Sequence, residues 1–105
     1  MRRNAKDLEC TVDRPQEITY YTRYIMGNKK PLFFGSVRVR KAYVSYHLMP
    51  IYSDPDLLID VSDDLKRRMQ GKSCFNFTRH DDTLFSELER LTDRCYRRYK
   101  ANKYI

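Results

Sequence analysis

The sequence predicts an α+β fold: an antiparallel sheet of about five strands, helices packed on one of its faces, and an amphipathic C-terminal helix. Three observations predict it. Stretches rich in β-branched and aromatic residues alternate apolar with polar side chains through the first half of the chain, which is strand periodicity. Gly, Asn and Pro punctuate those stretches at hairpin spacing. Toward the C-terminus, Leu84, Leu88, Leu91 and Cys95 recur at helical spacing instead.

Leu8, Cys10 and Val12 alternate with charged or small neighbours, so Asp7–Val12 reads as a first strand. Arg14–Glu17 is a turn, because Pro15 fixes its own φ and restricts Arg14. Ile18–Met26 is a second strand. Gly27–Pro31 then closes a hairpin, with Gly27 and Asn28 as the residues that tolerate positive φ. Leu32–Arg40 is a third strand, and Gly35 marks a bulge or a close approach. Beyond Gly35, Val37 and Val39 face one side while Ser36, Arg38 and Arg40 face the other. Tyr43–Met49 returns with Val44, Tyr46 and Leu48 opposed to Ser45, His47 and Met49, until Pro50 ends it.

Ser53-Asp54-Pro55 reads as a helix start, a capping side chain followed by a first-turn proline. Ser62-Asp63-Asp64 starts another helix, which Gly71 stops. Ser73–Phe77 is a short strand with Phe75 on the apolar side and Cys74 and Asn76 opposite. Asp81 or Asp82 caps the final helix, whose stripe Phe85, Tyr96 and Tyr99 widen.

With 105 residues, 41% hydrophobic and 13% aromatic, residues 1–105 form one domain with a single modest core. Three glycines and four prolines argue against long linkers. No apolar run approaches the roughly 18 residues that span a bilayer. The start, MRRNAKDLEC, has no apolar signal region, so a cytoplasmic protein with no membrane partner is expected. Cys10, Cys74 and Cys95 are odd in number and lack any CxxC spacing, which fits reduced thiols. The net charge of +7 attracts phosphate-bearing molecules, although many small proteins carry such a charge without binding nucleic acid.

The segments PLFFGSVRV, YVSYHLMP, GKSCFNF and LFSELERLT follow one another in a pattern that resembles the YdhG-like proteins, a family of small domains of unknown function. The likeness runs from about Asp7 to the C-terminus, is strongest over Pro31–Phe77 and is most specific in Gly71–Phe77. It implies a compact cytoplasmic α+β domain with no agreed reaction, and some relatives are described as frataxin-like iron chaperones. Longer relatives begin with a helical segment that this chain lacks. That difference implies a sheet face either open or filled by a second copy, as a homodimer.

The polar row Arg38, Arg40, Ser45, His47, Cys74 and Asn76 is the candidate ligand-binding surface. Two guanidinium groups suit carboxylate or phosphate. The competing reading is an ordinary solvated sheet face. Cys74 with His47 would need a thiolate in reach of the base and a third, orienting group. No local catalytic signature surrounds either residue, so no catalytic residue is assigned and the leaning is against an enzyme.

Asp54, Asp56, Asp60, Asp63 and Asp64 could hold a hard cation or ferrous iron. Helix capping accounts for Asp54, Asp63 and Asp64, and Lys66, Arg67 and Arg68 oppose a cation. Asp56 and Asp60 remain as alternative metal ligands, and no cofactor is expected. Arg90, Arg94, Arg97, Arg98, Lys100 and Lys103 could follow a phosphate backbone, with Tyr96, Tyr99 and Tyr104 available for stacking. Glu87–Arg90 and Asp93–Arg97 have ion-pair spacing, which favours a solvated face. The expectation is therefore a non-catalytic binding or interaction module for a small anionic ligand or a protein partner. An iron chaperone and a nucleic-acid-binding module are the alternatives.

Overall fold

The chain folds as the predicted α+β arrangement, with residues 8–79 and 81–105 described by a computed structural model. Its antiparallel sheet contains β1 (Glu9–Arg14), β2 (Glu17–Ile25), β3 (Pro31–Val39), β4 (Val44–Leu48), β5 (Met69–Gln70) and β6 (Cys74–Phe77). Their spatial order is β1-β2-β3-β4-β6-β5, one strand more than expected. Asp7, the expected start of the first strand, lies outside the described residues. That strand runs on to Arg14, which pairs with Glu17 and leaves Pro15-Gln16 as a two-residue turn. A register shift between Cys10 and Val12 breaks the expected row before Val12, and within that row Leu8 is buried while Cys10 is exposed.

In the β2–β3 hairpin the positive φ of 66° belongs to Lys29, not to Gly27 or Asn28. Asn28 supports the turn differently: its Oδ1 accepts a hydrogen bond from the Lys30 N–H at 3.0 Å. The bulge expected at Gly35 is present. Tyr20 pairs with Gly35 but Tyr21 pairs with Phe33, so Phe34 is the extra residue. This insertion shifts the phase of β3. Phe33 joins the side of Ser36 and His47, its ring 5.0 Å from the imidazole. Phe34 turns the other way, is fully buried, and meets the Tyr99 ring edge-on at 5.9 Å.

β4 ends at Leu48, one residue short of the expected Met49, and Pro50 does not prevent a helix. It occupies the first turn of α1 (Met49–Ser53), where its missing N–H costs nothing. The helix start expected at Ser53-Asp54-Pro55 is thus the end of α1, followed by a 3-10 turn over Pro55–Leu58. Asp54 makes no side-chain cap bond; its carboxylate lies 3.3 Å from Arg98.

α2 (Asp63–Lys66) does start at Ser62, whose Oγ accepts from the Leu65 N–H at 3.2 Å. It lasts one turn rather than reaching Gly71. Met69 and Gln70 leave it to pair with Phe75 and Cys74 as β5, and the Asn76 N–H bonds the Arg68 carbonyl at 2.7 Å. Half-buried Met69 packs on the core, a gain that a solvated second helical turn would not supply. Gly71, at φ 77°, turns the β5–β6 hairpin instead of stopping a helix.

α3 (Asp82–Ala101) begins at Asp81, whose Oδ1 accepts from the Leu84 N–H at 3.0 Å. Its stripe of Leu84, Leu88, Leu91, Cys95 and Tyr99 is buried in one core with Tyr20, Phe34, Leu48, Phe75 and Phe77 of the sheet. Two polar ties cross that packing. The Tyr46 hydroxyl meets Thr92 Oγ1 at 2.7 Å, and the Tyr99 hydroxyl donates to the Phe33 carbonyl at 3.0 Å. The segment between β4 and β5 is pinned to α3 at two places. Glu87 accepts from the Ser62 N–H at 2.6 Å, and Arg98 donates to both Asp56 oxygens at 3.0 and 2.7 Å. None of the described helices is long and apolar enough to cross a membrane.

Candidate functional site

Register assembles the candidate face. Ser36, His47 and Cys74 lie opposite one another across β3, β4 and β6. Arg38, Ser45 and Asn76 form the next row, and β2 extends both rows with Thr19 and Glu17. Directly paired residues share a sheet face, as do residues two apart along a strand. Five of the six residues expected together are therefore neighbours on the face opposite α3.

Arg40 is the exception. β3 ends at Val39, and the Arg40 N–H bonds the Tyr43 carbonyl at 2.8 Å within the β3–β4 connection. There Arg40 lines a hollow with Val44, Phe77 and Phe85, residues of the helical side. Strand alternation stops where the strand stops, so Arg40 does not join the polar row, although its charge, like that of Arg38, helps lower the Glu17 carboxyl.

The charge on the face is localised. Arg38 Nε lies 3.6 Å from Glu17 Oε2, too far for a hydrogen bond, and this buried donor has no other acceptor. The Thr19 hydroxyl donates to Glu17 Oε2 at 2.7 Å. That bond, with the nearby Arg38 guanidinium, holds the Glu17 carboxyl below its ordinary value against the opposing effect of burial. His47 Nε2 lies 2.7 Å from Ser73 Oγ. Burial first, and the Arg38 charge second, push the imidazole below its ordinary pKa, so it is neutral at pH 7.

This shift has a testable sign. The unfolded chain takes up the His47 proton near pH ~6.5, whereas the folded chain does so only lower. The stability this difference contributes is therefore complete above that value and is lost as pH falls below it. Proton NMR of His47 should show a midpoint below ~6.5. Arg38→Gln should raise it part of the way back, because it removes the second cause. A parent midpoint at or above ~6.5 would contradict the assignment.

His47 and Cys74 are register partners on adjacent strands, a proximity that sequence reading did not anticipate. Nucleophilic chemistry needs a thiol pushed down toward thiolate. Burial instead pushes the Cys74 thiol up, and the His47 ring nitrogen faces Ser73. The pair is adjacent but not activated.

Ser73, Glu17, Tyr21 and Phe33 belong to this surface and were missed. The Tyr21 and Phe33 rings lie 5.3 Å apart and, with Met26 and Met49, line a hollow of about 380 Å³ beside the polar rows. The signal for Phe33 was present in the bulge: counting Phe34 as the extra residue places Phe33 on the Ser36 side.

The other candidates are occupied by packing. Asp56, an alternative metal ligand, is held bidentate by Arg98, which keeps its carboxyl below the ordinary range; Asp60 is exposed in the following turn. Among the described residues no three His, Cys, Asp or Glu gather in a way that could hold a metal ion. On α3, Arg98 is engaged by Asp54 and Asp56, and Glu87 reaches Ser62. Tyr99 is buried, and Tyr104 packs against the Tyr24 and Tyr99 rings at 4.7 and 5.3 Å. Arg90, Arg94 and Arg97 remain on the outer part of the helix, half-buried or exposed.

No family model, curated protein or solved structure matches the chain.

Proposed function

We propose that the chain is a cytoplasmic, YdhG-like, non-catalytic binding module whose polar sheet face takes a small anionic ligand. The observation that carries the reading is the Arg38 guanidinium, 43% exposed on this face, whose carboxylate neighbour Glu17 lies at 3.6 Å, beyond hydrogen-bond reach of Nε. The exposed part of such a guanidinium can take a carboxylate or phosphate from solution. Around it stand the neutral hydrogen-bonding groups of Ser45, His47 and Asn76, which suit the remaining oxygens of a carboxylate or phosphate. Neutral His47 serves as donor or acceptor rather than as a second cation.

A protein partner presenting an acidic side chain would use the same guanidinium. The Tyr21–Phe33–Met49 hollow favours this second reading, because it offers a place for an apolar neighbour of that acid. The iron-chaperone and nucleic-acid readings draw less support, since Asp56 and Arg98 occupy one another.

Calorimetry with inorganic phosphate, citrate and adenosine monophosphate tests the proposal. At least one should bind, and Arg38→Gln should weaken it roughly tenfold or more, as loss of a charge-assisted hydrogen bond does. Stability should change by no more than about 0.5 kcal/mol, as for other surface substitutions. Equal binding by parent and variant, or no binding by any of the three, would refute the reading.

A further inference from the structure

α3 does not cover the whole helical side of the sheet. Toward the β3–β4 connection, Val39 stays 47% exposed and Tyr43 39% exposed, although Val39 lies in a row with Val44 and Phe77. Two contiguous hollows of about 310 and 400 Å³ open there and share Val44, Phe77 and Phe85 as common walls. The first continues inward over Val37, Tyr46 and Leu88. Among the described residues its polar lining side chains are Tyr46, whose hydroxyl is already engaged by Thr92, and exposed Glu89. Their size falls within the range of small-molecule sites, about 300–1,000 Å³.

The second hollow differs in charge. Arg40 and Lys41 from the β3–β4 connection and Arg79 from the loop before α3 converge on it. Among the described residues, no carboxylate lies within ion-pair distance of these three cations. An apolar slot thus leads to a cationic mouth, while its opposite wall carries Glu89.

We infer that this slot binds a small apolar acid, an aliphatic or aromatic body with a single anionic head. The body would replace water over Val37, Val44, Phe77 and Phe85, and the head would lie among Arg40, Lys41 and Arg79. A ligand acidic at both ends is rejected, because its second carboxylate would be buried against apolar walls and meet Glu89. A second copy of the chain is the poorer occupant, since its own Arg40, Lys41 and Arg79 would approach the same cations across a two-fold axis. The site is separate from the polar face and does not rest on Arg38.

The test compares octanoate, 1-octanol and octanedioate by calorimetry, with amide NMR shifts to locate binding. Octanoate should shift Val37, Val44, Phe77 and Phe85, and should bind roughly tenfold more tightly than either other probe. The variant Arg40→Gln/Lys41→Gln/Arg79→Gln changes only exposed positions and should lower octanoate affinity roughly tenfold while leaving 1-octanol unchanged. Arg38→Gln should leave octanoate binding intact, which separates this site from the polar face. Octanedioate binding as tightly as octanoate, octanoate insensitive to the triple variant, or shifts confined to other residues would each overturn the inference. So would a dimer in sedimentation whose formation protects the same four residues.

Discussion

Phe34→Ala should destabilise the protein by about 3–5 kcal/mol, the usual cost of emptying a fully buried aromatic site. Phe33→Ala, one residue earlier, should cost clearly less. The contrast is diagnostic of the bulge. Without it, alternation back from Val37 and Val39 would put Phe33 in the core and Phe34 on the polar face. With it, Phe34 meets Tyr99 beneath α3 while Phe33 lies half-buried against Tyr21 and His47. Urea unfolding of the two variants decides the matter, and the reverse ranking would mean that the register of β2 on β3 is wrong.

Leu91→Ala should cost about 2–5 kcal/mol, since Leu91 is fully buried in the middle of the stripe that joins α3 to the sheet. Neighbouring Arg90 is exposed, and Arg90→Ala should stay within about 0.5 kcal/mol. A small loss at Leu91, or equal losses at both positions, would show that another face of α3 meets the sheet.

Strong periodicity made part of this fold legible. Val37, Arg38 and Val39 alternate cleanly, as do Val44, Ser45 and Tyr46, so both faces of β3 and β4 could be assigned from side chains alone. Leu84, Leu88, Leu91 and Cys95 likewise identified the buried stripe of α3. Elements held by tertiary pairing were not legible. Met69–Gln70 has too few residues to show a period and is a strand only because β6 lies beside it. Pro50 was a sound signal for the end of β4, yet the same residue suits the first turn of the following helix.

The candidate face divides in the same way. Arg38, Ser45, His47, Cys74 and Asn76 followed from alternation. Arg40 did not, because the period-two rule was carried one residue past the end of β3. The Arg98–Asp56 and Glu87–Ser62 contacts join residues far apart in sequence, and helical spacing pointed Glu87 to Arg90 instead. The adjacency of His47 and Cys74 depends on strand order, with β6 inserted between β4 and β5, which no local pattern encodes.

We propose that the polar face opposite α3 is a recognition surface. Amide NMR of the uniformly labelled protein, titrated with adenosine monophosphate, citrate and inorganic phosphate, tests it most directly. The expected result is a set of saturable shifts centred on Ser36, Arg38, Ser45, His47 and Asn76 whose midpoint moves roughly tenfold or more higher in Arg38→Gln. A midpoint unchanged in that variant, or shifts that map instead to Arg90, Arg94 and Arg97 of α3, would overturn it.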